Sequence, residues 1–92
     1  MQHEEECLVC RTTYMLEEHH CIYGRGLRPL SEKYGLKVWL CARHHRDAFG
    51  DTDAAVHFNK ALDLKIKRMA QRAFEAHFPE ESFLQVFGKN YL

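Results

Sequence analysis

A chain of 92 residues, 46% hydrophobic and 28% charged, has the composition of one globular domain rather than of a disordered or fibrous segment. Thirteen Lys and Arg balance thirteen Asp and Glu, which argues against a simple polyanion binder, and no apolar run approaches the roughly 20 residues that span a bilayer. The start, Met1 to Glu6, is polar and acidic and does not read as a secretory leader, so a cytoplasmic, reducing setting without membrane association is expected.

Residues 1–6 are expected to fray, leaving 7–92 as a single domain. Cys7-Leu8-Val9-Cys10 predicts a tight metal-binding turn. Thr12 to Leu16 is rich in β-formers and predicts a short strand, with Glu18 to Tyr23 as its return strand. Gly24-Arg25-Gly26 and Pro29 mark a loop. Ser31 is placed to cap a helical turn through Tyr34, which Gly35 would end. Lys37 to Leu40 is a short apolar stretch leading into Cys41. A helix is expected from Cys41 or Ala42 to Gly50, then a loop, Asp51 to Ala55. The longest helix should run from about Asn59 to Phe78. Leu62, Ile66, Met69, Ala73 and His77 would form its packed stripe, with Ala70 and Phe74 beside them. Pro79 ends that helix, and a last one, Glu80 to Phe87, stops at Gly88. Phe83, Phe87 and Tyr91 would complete the core or form a homodimer contact.

In a reducing compartment four cysteines read as metal ligands rather than as disulfide partners. Two ligand-spaced pairs stand out: Cys7-x-x-Cys10 and Cys41-x-x-His44. Zinc favours four tetrahedral thiolate or imidazole ligands. A Cys-x-x-Cys turn offers two thiolates from one loop, and a Cys-x-x-His pair at a helix start places two ligands about one turn apart on one face. A turn and a helix start donating two ligands each make a treble clef. The expected fold is therefore α+β, a small zinc-stabilised treble clef (a ββα-metal hairpin and helix) followed by the long helix and the short last one. A structural Zn2+ would also supply folding energy that so short a chain lacks. Cys21 has no ligand-spaced partner and reads as a small buried hydrophobe.

His19, His20, His45 and His57 remain. Adjacent helical side chains point about 100° apart, so His44 and His45 do not serve one ion. If His44 faces the zinc, His45 faces elsewhere, toward the strand carrying His19 and His20. A strand histidine, His45 and a third from the following loop would make a second, open site of three ligands, the pattern of a catalytic metal. His3 falls in the tail and His77 on the packed helix face.

Glu18-His19-His20 and Leu40-Cys41-Ala42-Arg43-His44-His45 together resemble the HNH, or His-Me finger, endonuclease superfamily, over residues 7 to about 60. The chain looks most similar to small bacteriophage and prophage members related to the phage recombination-enhancement nucleases, which implies a phage- or prophage-encoded protein in a bacterial cell. The resemblance implies His19, His45 and His57 as ligands of a divalent ion (Zn, Mn, Ni or Mg) and His20 as the general base. Strand alternation separates the tasks of His19 and His20 without itself assigning them. The family's middle Asn has no counterpart between His20 and Cys41, which shifts its role to a backbone carbonyl or another side chain.

The expected activity is metal-dependent hydrolysis of DNA phosphodiester bonds. Eleven Lys and Arg against six Asp and Glu lie between Cys21 and Phe78. Arg25, Arg28, Lys33, Lys37 and Arg46 are candidate backbone contacts, which position phosphate without reading sequence. The competing expectation is a treble-clef zinc module without catalysis, binding nucleic acid or a protein, since one fold hosts many functions.

Overall fold

The computed structural model describes residues 1–46, 55–57 and 59–92. Among these the chain forms β1 (Leu16–His20), α1 (Arg28–Lys33), β2 (Lys37–Cys41), α2 (Ala42–His45), α3 (Lys60–His77) and α4 (Phe83–Phe87). The architecture is α+β: one two-stranded antiparallel sheet, short helices and one long one. No helix among the described residues is long and apolar enough to cross a membrane.

The sheet departs from the expected hairpin. Thr12 to Leu16 and Glu18 to Tyr23 do not pair; β1 instead lies against β2, with Glu17 opposite Leu40 and His19 opposite Val38. The cause is local. Arg11 and Met15 take φ of 64° and 52°, left-handed values that end extended backbone, so the chain turns before β1 begins. Cross-strand partners share a face. Glu17, His19, Val38 and Leu40 therefore lie on one side of the sheet, and Glu18, His20, Lys37 and Trp39 on the other.

Pro29 falls in the first turn of α1, where its fixed φ suits a helix start, so this helix begins before Ser31 rather than at it. Ser31 is buried inside α1, and its hydroxyl accepts from the Ile22 N–H and donates to the Ile22 carbonyl. The side chain fastens α1 to the end of β1. Gly35, at φ 69°, ends the turn as expected.

Asn59 caps α3, its side-chain oxygen accepting from the Leu62 N–H at 3.0 Å. The helix buries Ile66, Ala70 and Phe74 together with Gln71. This i, i+4, i+8 ridge is rotated from the expected stripe. Met69 and Ala73 are half-buried, and His77, expected on the packed face, is exposed. The last helix starts at Phe83 rather than Glu80, because Ser82 caps it by accepting from the Gln85 N–H. Gly88 closes it at φ 77°. The rings of Phe83 and Phe87 stack at 4.6 Å, and Phe74 meets Phe83 edge-on at 5.4 Å. The C-terminal aromatics thus build core with Phe74 and Tyr34, and Tyr91 is half-buried beside Phe83.

Within the segment 1–6, expected to fray, Met1 and Gln2 touch the body, while His3, Glu4 and Glu5 are exposed. The Gln2 side-chain oxygen accepts from the Trp39 N–H at 2.8 Å, and Met1 Sδ is 3.7 Å from Cys21 Sγ. Cys21 is buried, and burial pushes its thiol pKa up to about 12, in keeping with its reading as a small hydrophobe. The expected helix from Cys41 or Ala42 to Gly50 is present only from Ala42 to His45, because Arg46 takes extended backbone at φ −140° and ψ 145°; residues 47–50 and the loop from Asp51 to 54 lie outside the described residues.

Candidate metal centres

The first centre is assembled by a turn and a strand end. The Arg11 N–H donates to the Cys7 carbonyl at 2.8 Å and the Cys7 N–H to the Thr12 carbonyl at 2.9 Å, closing the Cys-x-x-Cys turn. The Leu8 N–H reaches the Trp39 carbonyl at 2.9 Å and the Ala42 N–H the Met15 carbonyl at 3.0 Å. These bonds set the turn beside the end of β2, where Cys41 leads into α2. Cys7, Cys10, Cys41 and His44 then converge.

The separations suit one ion. Two sulfurs each about 2.3 Å from zinc at a tetrahedral angle lie about 3.8 Å apart, and a sulfur and an imidazole nitrogen slightly less. Cys10 Sγ and Cys41 Sγ are 3.8 Å apart, and His44 Nδ1 lies 3.6 Å from Cys7 Sγ and 3.1 Å from Cys41 Sγ. Burial alone would raise the Cys7 pKa, but backbone N–H groups of Cys10, Cys41 and Val9 point at its sulfur and bring it below the usual thiol value. Three donors are buried and Cys10 is exposed. The donor set and its edges fit a structural metal such as zinc.

The second cluster joins three segments. His19 comes from β1, His45 from α2 and His57 from the turn before α3, with ligand atoms all within 4.8 Å of one another. Ring centroids of His19 lie 5.2 Å from those of both His45 and His57, which are 5.0 Å apart. Exposure rises from buried His19 through half-buried His45 to exposed His57, so the cluster opens toward solvent on the His57 side.

Two observations bear on its chemistry. His19 Nε2 is buried and has no hydrogen-bond partner among the described residues, a costly state for a polar atom. Burial, helped by the charges of His45, His57, His20 and Arg28, also lowers the His19 pKa to about 3. The imidazole is therefore neutral at ordinary pH, the form that ligates metals. Burial, then the charge of His45, likewise lowers the His57 pKa. Second, Glu17 Oε1 accepts from His45 Nδ1 at 2.7 Å, which directs the other ring nitrogen away from the carboxylate. A carboxylate behind a ligating histidine is a recurrent arrangement in metal sites.

Glu17 is not among the residues the sequence singles out. Its signal was present, because residues two apart on a strand share a face and Glu17 is two before His19. Tyr23, whose ring lies 5.7 Å from His19 and 5.3 Å from His57, had no such signal. Lys67 Nζ sits 4.7 Å over the Tyr23 ring and 2.8 Å from Asp63, bringing the first half of α3 beside the cluster.

His20 lies on the other face and is not part of the cluster. Its Nε2 is 2.9 Å from Glu32, whose carboxylate also binds Lys37 at 3.1 Å. Lys37 reaches Glu18 as well, at 3.1 Å. Facing a carboxylate, Nε2 carries the proton, so neutral His20 offers Nδ1 as its acceptor. Of the five candidate phosphate contacts, Arg25, Arg28, Lys33 and Arg46 are exposed. Lys37 is held by Glu18 and Glu32, and Arg46 by Glu17, with Nε at 2.8 Å. Those two cations are already engaged.

Comparison with protein-family models, with curated proteins and with solved structures gave no match to the chain.

Proposed function

We propose that the chain is a metal-dependent DNA endonuclease of the HNH type, phage-derived, hydrolysing phosphodiester bonds on a treble clef held by zinc at Cys7, Cys10, Cys41 and His44. The observation that carries this reading is the second cluster: three histidines from separate segments converge, one of them with a buried, unpartnered Nε2. Three imidazoles with one exposed side leave coordination positions for water and substrate.

A divalent ion held by these histidines would supply Lewis-acid stabilisation of phosphate charge. Imidazole donors suit Zn, Mn or Ni better than Mg, which prefers oxygen. The chain's own groups do the rest. His19, His45 and His57 would hold the ion, and Glu17 holds the His45 ring in place. His20 is assigned as the base that would accept the proton of the attacking water at Nδ1, a role that requires the water to lie at the strand's edge between the two faces, while Glu32 accepts from the Nε2–H and fixes the ring. Glu32 thereby fills the orienting role that the family gives to its Asn. Arg28, near enough to lower the pKa of His19 and His57 through its charge, steers the phosphate.

The test is supercoiled plasmid incubated with zinc-loaded protein and a panel of divalent metals, with the variant His19→Ala, His45→Ala alongside. Metal-dependent nicking by the wild type and none by the variant supports the reading. No nicking from folded protein with any metal sinks it.

One observation favours a second reading, a treble-clef zinc module that binds nucleic acid or a protein without cleaving it. His20 is engaged by Glu32 on the face opposite the cluster. In that case the module retains its fold and binding after the second cluster is removed.

A further inference from the structure

The chain's positive charge is not evenly spread. α3 carries five Lys and Arg against two acids, in a chain whose formal net charge is zero. Successive helical residues turn by about 100°, so Lys60, Arg68, Arg72 and Lys65 fall within one arc of about 140°, away from the Ile66-Ala70-Phe74 ridge. All four are exposed. Lys60, Lys65 and Arg72 have no carboxylate partner among the described residues, and Arg68 donates one bond to the Tyr91 carbonyl at 2.8 Å. Of the two acids, Asp63 pairs with Lys67, while Glu75, which accepts from Gln71 Nε2 at 3.1 Å, keeps its charge at the C-terminal end of the arc beyond Arg72. Between the cations Ala61 and Leu64 form a shallow floor.

We infer that this face of α3 is a docking surface for the phosphate backbone of duplex DNA, separate from the histidine cluster and continuous with it. The continuity is structural. Lys67 borders the arc and stands over the Tyr23 ring, which touches His19 and His57. A strand bound at the cluster is thereby led onto α3. The length also fits. Lys60 and Arg72 are twelve helical rises apart, about 18 Å along the helix, or roughly five base-pair rises of 3.4 Å. A lipid surface is a poorer match, because Leu64 is the one bulky apolar side chain in the arc and membrane-lying helices bury a broad apolar face. The inference rests on the nuclease reading only for the choice of polyanion.

The experiment is fluorescence anisotropy of a labelled 20-base-pair duplex with protein carrying one zinc per chain and no other divalent metal, over a range of salt. The variant Lys60→Gln, Lys65→Gln, Arg72→Gln leaves Arg68 on Tyr91 and is checked for an unchanged melting temperature. The expected result is a roughly tenfold or greater loss of affinity, with the slope of log K against log salt shallower by about 2 to 3, at 0.9 per phosphate contact. An unchanged affinity and slope, or no duplex binding by the wild type, overturns the inference. So does equal competition by polyglutamate at matched charge, which would mean that the face reads charge alone. Tighter binding of a single strand than of the duplex overturns the choice of duplex. Cleavage with charge-independent binding removes this inference alone, and α3-dependent binding without cleavage removes the nuclease reading alone.

Discussion

Glu17 Oε1 and His45 Nδ1 lie 2.7 Å apart, joining the first strand to the four-residue helix that follows the second. The same carboxylate holds Arg46 through its other oxygen, at 2.7 Å from Nη2. Two bonds hold its oxygens toward His45 and Arg46, and burial, outweighed by the Arg46 and His45 hydrogen bonds, leaves the Glu17 pKa below the usual carboxylate value.

Glu17→Gln should therefore weaken the second centre and spare the first. Loss of an outer carboxylate typically costs 10- to 100-fold in metal affinity. Calorimetric titration of Mn2+ or Ni2+ into zinc-loaded protein should show roughly that loss, with one zinc per chain retained. Equal affinity in the variant would mean that Glu17 serves Arg46 rather than His45.

Cys41→Ser should abolish stable folding at ordinary temperature. A structural zinc contributes its binding free energy to folding, and Cys41 links the sheet to α2. Circular dichroism during chelator titration should show cooperative unfolding of the wild type at one zinc lost, with the variant unfolded from the start. A chain that keeps its near-ultraviolet spectrum after chelation would refute the structural role.

His20→Ala should leave melting unchanged within about 1 kcal/mol, because His20 is only half-buried at the sheet's outer face. Cleavage should fall by a factor of roughly 10² to 10⁴, the usual contribution of a general base. Glu32→Gln keeps an acceptor for the Nε2 proton and should retain more activity than Glu32→Ala. Equal losses in the two Glu32 variants would argue against an orienting role.

Acid should destabilise the metal-free second centre in a definite window. The His19 pKa is lowered from 6.5 to about 3 in the fold. The unfolded chain therefore binds more protons than the native one between those values, and stability falls as pH drops through that interval. With zinc kept on the first centre, melting temperature should decline between about pH 6.5 and 5 more steeply for the wild type than for His19→Gln. Parallel declines would show that His19 is not held neutral.

Much of the first centre was legible because its signal is local. Spacings of three place Cys7 with Cys10 and Cys41 with His44, and the structure brings all four together. Helix ends were legible for the same reason: Asn59, Gly35 and Gly88 act through their own backbone or the next turn. The sheet was not. Whether β1 pairs with Thr12 to Leu16 or with β2 is decided by the left-handed turn at Met15 and by long-range packing, neither of which periodicity reports. That a strand histidine, His45 and a loop histidine should meet follows from the turn of about 100° between His44 and His45, whereas choosing His19 over His20 and naming His57 rests on the resemblance. Their partners depend on the meeting itself: Glu17 reaches His45 across 28 residues of chain, and Tyr23 meets His57 only once α3 is docked. His77 was misplaced because an i, i+4 ridge through Ile66, Ala70 and Phe74 turns the buried face away from it.

The four-residue helix α2 has His44 and His45 as neighbours, one in each centre. The two candidate centres therefore share one turn of helix, so the backbone that presents His44 to the cysteines also fixes where the His45 ring starts, and a displacement at the first set of donors is transmitted directly to the second.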